Sequence, residues 1–220
     1  MKGYMLSGTG AGAGRTTVGC ALAFAFKVRG LRVGVMKPAA TGCVERDGAI
    51  AADDAVALIA AASSDLPLDL AAPYRYRSPL APLDAARADG AEPPDFATID
   101  RALREIGNRS DIVIVEDTHG LAAKPGSAHD FADLAFAHRL ELILVVGHRP
   151  GFVDAAKRTL DFAAAREIHV CGVILNALDR EANAIIADDA EAVGRATGTR
   201  VLGTVRFKEP LSLAIVNQLL

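Results

Sequence analysis

The stretch from Lys2 to Cys20 narrows the possible folds more than any other part of the chain. Lys2 to Ser7 is a short apolar run of strand length, Gly8 to Gly14 alternates glycine with small residues, and from Arg15 the apolar positions Val18, Ala21, Leu22, Ala25 and Phe26 recur at helical spacing. Strand, glycine loop and helix in that order build an anion site. The glycines leave backbone N–H groups uncovered and permit positive φ, so the loop can wrap a polyphosphate at the positive end of the helix. Gly12, Ala13, Gly14, Arg15, Thr16 and Thr17 are expected to line it, with the Thr16 hydroxyl offered to Mg²⁺. Two features depart from the common pattern: five residues rather than four separate Gly8 from Gly14, and Arg15 stands in place of lysine. The other reading is a glycine-rich turn that only lets the helix pack on the strand.

With 220 residues the chain suits a single domain, 1–220, with a core large enough to stand alone. A net charge of −3 and no block of like charges give nothing to attract nucleic acid. Cys20, Cys43 and Cys171 are odd in number, far apart and without a C-x-x-C pair, which argues against a disulfide framework or a zinc site and for small core residues in a reducing cytosol. The glycine loop follows Ser7 at once, so there is no apolar stretch for a signal peptide, and no later run approaches ~18 apolar residues. A soluble, cytoplasmic protein with no membrane partner is expected.

Further along, Leu31 to Met36 reads as a strand ending at Lys37-Pro38, and a lysine at such a strand end points into the crevice where open α/β sheets bind ligands. Residues 43 to 52 suit a loop, and Ala51 to Ala62 a helix with Asp53 and Asp54 in its first turn. Those acids complement the helix dipole, or one of them faces the phosphate loop and holds the metal. Leu66 to Pro94 is proline-rich and reads as irregular chain around a short helix, Leu83 to Ala88, the kind of long excursion that often binds substrate. After a helix from Phe96 to Gly107, the β-branched run Asp111 to Val115 delivers Glu116 at its tip, the place of a metal-binding acid in phosphate-loop proteins. A solvated acid at a strand end is the alternative.

The remaining pattern is a helix (Ala128 to His138), strand (Leu140 to Val146), helix (Phe152 to Ala165), strand (Val170 to Leu175, ending at Asn176), helix (Glu181 to Ala196), strand (Arg200 to Thr204) and C-terminal helix (Pro210 to Leu219). Nearly all-apolar strands alternating with helices mean an α/β fold: a mostly parallel sheet covered on both faces by helices. His119 and His148 fall at strand-end loops, whereas His129, His138 and His169 read as peripheral.

Taken together, these segments resemble dethiobiotin synthetase, a family of the P-loop ATPase group, nearly end to end. Gly8-Thr9 with Gly14 and Thr16 matches the family's nucleotide loop, Lys37-Pro38 with Thr41-Gly42 its substrate-lysine segment, and Asp54 its first metal acid. Pro79-Leu80-Ala81-Pro82 matches the proline segment by the substrate, Val115-Glu116 the second metal acid, Phe131-Ala132-Asp133-Leu134 the following helix, and Asn176 the adenine-binding asparagine. The resemblance implies ATP and Mg²⁺ as cofactors and ring closure of 7,8-diaminononanoate with CO₂ to the cyclic urea of biotin biosynthesis. It further implies Lys37 and Arg15 as catalytic residues, Thr16, Asp54 and Glu116 as metal ligands, Thr41, Pro79 and Leu80 at the substrate, and a homodimer. The departures lie in the loop, where Gly10, Ala11 and Arg15 replace Asp, Thr and Lys, and after Glu116, where Asp117-Thr118-His119-Gly120 replaces Gly-Ala-Gly-Gly. They leave a second expectation, a degenerate paralogue with weak or no nucleotide binding and a structural or regulatory role. A dimeric ATPase switch of the partition-protein kind shares the fold class, but that group places an extra lysine at the start of its loop and Ser7-Gly8-Thr9 has none.

Overall fold

The computed structural model describes residues 2–46 and 48–220. The first strand, β1 (Lys2–Gly8), runs into the glycine loop and α1 (Arg15–Val28). There follow β2 (Val33–Met36), β3 (Ala39–Ala40), β4 (Val44–Arg46), β5 (Ala49–Ala51), α2 (Asp53–Ala62), α3 (Leu68–Ala71), β6 (Tyr74–Arg75), α4 (Pro82–Asp89), α5 (Phe96–Asn108) and β7 (Ile112–Glu116). The chain closes with α6 (Phe131–His138), β8 (Glu141–Gly147), α7 (Phe152–Ala165), β9 (Val170–Asn176), a 3₁₀ turn (Ala182–Ala184), α8 (Ile186–Thr197), β10 (Val201–Val205) and α9 (Leu213–Asn217).

Six parallel strands form the main sheet in the order β10-β9-β8-β1-β7-β2. The chain leaves β1 for the edge strand β2, returns through β7 and then crosses to β8, so β1 and β8 flank the point where the winding reverses. Ligands of open α/β sheets collect outside the strand C-termini at such a point. Both faces are buried, as the apolar strands require. Along β8, Ile143 and Val145 join the large core built on α1, α5 and β7, while Leu144 and Val146 join a second core with Ala156, Leu160 and Val193 of α7 and α8. That alternation is the two-residue period of a strand with a helical layer on each side. Among the described residues no helix is long and apolar enough to cross a membrane.

Several local expectations are corrected. Residues 43 to 52, read as loop, contain the antiparallel pair β4–β5. Three-residue strands of exposed or half-buried side chains carry too little apolar alternation to be seen in sequence. Leu66 to Pro94 is more ordered than its prolines suggest: α3 and α4 each have proline at a helix start, where its missing N–H costs nothing. The helix expected from Glu181 begins at Ile186 after the 3₁₀ turn, and that expected from Pro210 spans only Leu213–Asn217, capped by the Ser212 hydroxyl. α6 starts at Phe131 rather than Ala128, because Asp130 and Asp133 form a reciprocal capping box there. His138, read as peripheral, is nearly buried, with Nε2 2.8 Å from Asp100. Cys43 is buried, but Cys20 and Cys171 are only partly covered.

Candidate functional site

Strand register assembles the site. Leu6 of β1 lies opposite Glu116 of β7, and Met36 of β2 opposite Val115, so the next residue, Lys37, comes level with Glu116. The Lys37 ammonium, 4 % exposed, lies 2.6 Å from Glu116 Oε1 and 2.7 Å from Asp54 Oδ2. Thr16 donates its hydroxyl to Glu116 Oε1 at 2.8 Å. Four residues expected at the site, from four distant segments, are thus linked: Lys37 to Asp54 and Glu116, and Glu116 to Thr16. Burial opposes the lysine's charge, yet Glu116 and Asp54 outweigh it and hold Lys37 above its ordinary range. Asp54 answers in kind: burial pushes its carboxyl up, but Lys37, Thr16 and Arg15 prevail and keep it low. The two acids at the start of α2 part company: Asp53 turns outward to Arg46, 2.9 Å away, and Asp54 turns to Lys37.

The glycine loop is shaped for an anion. Gly14 has φ 88°, and a Cβ there would stand 2.0 Å from Asn176 Nδ2, so no other residue fits without moving the asparagine. Among the described residues the amides of Gly14, Arg15, Thr16 and Thr17 donate to no protein acceptor, as expected at the free start of a helix. Ala13 is buried and Gly12 exposed. Asn176, at the tip of β9, donates Nδ2 to the Ala13 carbonyl at 3.0 Å and so braces the loop. It also lines, with Gly12, Gly14, Thr17, Leu178, and Phe207, a cavity of about 400 Å³ on the loop's flank.

Arg15 departs from expectation. Its guanidinium does not stand free over the loop but pairs with Asp117, a wholly buried carboxylate at the end of β7. Two departures from the family pattern, Arg15 in the loop and Asp117 after Glu116, are therefore one ion pair. Burial pushes the Asp117 carboxyl up in spite of Arg15 and the neighbouring Ser7 hydroxyl. Thr118 then donates to the Ala39 carbonyl at 2.6 Å, tying the loop after β7 to the segment after β2. His119 adopts φ 67° and Gly120 φ 104°, so a turn of glycine shape persists with a side chain added. Burial, then the nearby Arg15, hold the His119 imidazole below its ordinary value.

Thr41 is half-buried, and Pro79 and Leu80 are exposed. Gly42 donates to the Ser78 carbonyl at 3.1 Å, which brings Thr41 beside Pro79, and the Asp89 carboxylate fixes that turn through the Ser78 amide at 3.2 Å. Leu80 is 46 % exposed. Sequence reasoning missed Asp117 as the partner of Arg15, although an added acid beside an altered cation was a readable signal. It also missed Arg149, whose guanidinium donates to the carbonyls of Ala11 and Gly12, both at 3.0 Å.

The donor set fits a hard divalent cation held jointly with phosphate. One hydroxyl and two carboxylates converge, and the buried Oε2 of Glu116 has no hydrogen-bond partner among the described residues. No group of three or more His, Cys, Asp and Glu among the described residues could hold a metal by itself.

A family model described as an AAA domain (AAA_26) matches residues 2–214. Among solved structures, a ParA family ATPase from Chlorobium tepidum TLS aligns over 99 % of this chain and 98 % of its own, with 14 % identity and a TM-score of 0.58. The MinD cell division protein of Aquifex aeolicus aligns over 100 % of this chain and 87 % of its own, with 15 % identity and a TM-score of 0.57. At that identity the likeness is one of fold: the architecture is P-loop NTPase-like.

Proposed function

The chain belongs to the AAA-domain family, and on that premise we propose that it is an ATP- and Mg²⁺-dependent enzyme of the dethiobiotin synthetase kind. The observation that carries this reading is the meeting of Thr16, Lys37, Asp54 and Glu116 beside a glycine loop with free amides. In this reading the amides of Gly14 to Thr17 hold the phosphates, and the base occupies the cavity beside Asn176. Thr16, Asp54 and Glu116 would hold Mg²⁺, which when bound would supply positive charge against the charge that develops during phosphoryl transfer. Lys37, once its carboxylates serve the metal, neutralises the phosphoryl acceptor and needs no proton chemistry for that role. The acceptor is the carbamate of 7,8-diaminononanoate and CO₂. Its oxygen takes the γ-phosphoryl group, and the neighbouring amine then attacks the carbonyl carbon and expels phosphate. Thr41, Pro79 and Leu80 lie against the substrate chain, and the working form is a homodimer.

The Arg15–Asp117 pair favours a second reading, a degenerate paralogue in which the loop cation is neutralised internally and nucleotide binds weakly or not at all. One titration separates the two. ATP with Mg²⁺ is added to the protein, then the diamine and bicarbonate, and phosphate release is followed. The enzyme reading expects saturable binding and release that depends on the diamine, with Lys37→Met abolishing release while ATP still binds. Absence of ATP binding by the folded parent selects the paralogue.

A further inference from the structure

Three of the cations around the phosphate loop differ in what already holds them. Arg15 is bound to the buried Asp117 carboxylate, and Lys37 to the carboxylates of Glu116 and Asp54. Arg149 contacts only backbone: Nη1 meets the Ala11 carbonyl and Nη2 the Gly12 carbonyl, both at 3.0 Å, and no carboxylate pairs with it among the described residues. We propose that Arg149 is the cation that meets the terminal phosphates of a bound nucleotide, the task from which Asp117 withdraws Arg15. This rests on the nucleotide-binding reading above.

Release costs differ among the three. To turn to phosphate, Arg15 must abandon a carboxylate with no access to water, which leaves an uncompensated buried charge. Arg149 is exposed and gives up two neutral carbonyls whose places water can take. A guanidinium gains by the exchange, because its planar fork matches phosphate oxygens in pairs and charge-assisted bonds exceed those to neutral carbonyls. The position is also prepared. Arg149 follows β8, beside β1, and its segment is pinned by the His148 amide on the Asn176 carbonyl at 2.9 Å. Nη2 would lie 3.5 Å from a Cβ at Gly12, a residue with φ 69°, so the guanidinium rests directly against the loop that wraps the phosphates.

The test is the gain in affinity along AMP, ADP and ATP, each with Mg²⁺, measured by calorimetry. Arg149→Gln keeps donors for the two carbonyls but not the charge, Arg149→Lys keeps the charge, and Arg15→Gln with Asp117→Asn replaces the buried pair by a neutral one of similar shape. The expected result is that Arg149→Gln loses about tenfold or more of the gain from AMP to ATP. Arg149→Lys should keep most of that gain, the Arg15/Asp117 double variant should lose less of it than Arg149→Gln does, and both Arg149 variants should melt as the parent does without ligand. If Arg149→Gln climbs as the parent does, or the double variant alone loses the gain, the role belongs elsewhere while the nucleotide reading stands. If the folded parent binds none of the three nucleotides, that reading falls and takes this inference with it.

Discussion

Strand β7 carries an arginine–aspartate pair at each end, and the two behave in opposite ways. At its start Asp111 accepts from the Arg32 amide at 2.9 Å and from Arg32 Nη2 at 2.6 Å, with both side chains in solvent. Hydrogen bonds from Arg32 push its carboxyl down to about 2. At its end Asp117 meets Arg15 out of contact with water, and there burial pushes the carboxyl up. The residue types are the same; the difference comes from burial at the inner end, where Glu116 adds repulsion, and from the fuller set of hydrogen bonds at the outer end. Where water shares the charge, an added cation only favours the carboxylate; where water is excluded, one cation does not repay desolvation. The strand's C-terminal end is also where an α/β sheet keeps its ligand crevice. The costly pair is therefore the one in the site.

The comparison is broken most forcefully by removing each arginine. Arg15→Met leaves Asp117 buried without a counter-charge and should destabilise the protein by about 3–5 kcal/mol in urea unfolding. Arg32→Met should shift the midpoint far less, by an amount that shrinks as salt is added. Equal losses would mean that the two ends are not different environments. Next in size is the effect on ligand. Asp117→Gly should release Arg15 and tighten ATP·Mg²⁺ binding about tenfold, the worth of one charge-assisted contact. Arg15→Lys alone should do less, because Asp117 can hold either cation, and the two changes together should depart from additivity by about 0.5–3 kcal/mol. Strict additivity would show that the pair does not act as a unit.

The smallest effect is in acid. With its folded value near 2 against an ordinary 3.8, Asp111 contributes stability that is complete above about pH 4 and is lost as pH falls toward 2. Asp111→Asn should flatten that part of the acid-unfolding curve. Asp117, raised instead, binds its proton more tightly folded than unfolded, so stability is lost as pH rises from the ordinary carboxylate range. Asp117→Asn should remove a slope of the opposite sign. Slopes of one sign at both positions would refute the contrast.

Much of the site was legible before any coordinates. Lys37, Glu116 and Asn176 each end or follow an apolar strand, and parallel sheets deliver such residues to one edge. Thr16 and Asp54 were legible because each opens a helix with a polar group in its first turn. Illegible in sequence was which charge answers which. Asp53 and Asp54 differ by one position, and only the turn of α2 beside β2 sends one to Arg46 and the other to Lys37. Asn176 resembled a base-binding residue but is also a brace for Ala13, because β9 ends within reach of the loop.

By itself, then, the order of apolar runs and glycines determined an α/β sheet with a phosphate loop at its first strand and polar groups at its strand tips. Those are local properties of period, length and backbone freedom, and each is written within a few consecutive residues. Tertiary structure alone decided that Arg15 is spent on Asp117, that Lys37 joins two carboxylates, and that Arg149 rests on the loop without one. Charges interact through space and according to their burial. Neither separation nor burial exists until β1, β2, β7 and β8 lie side by side.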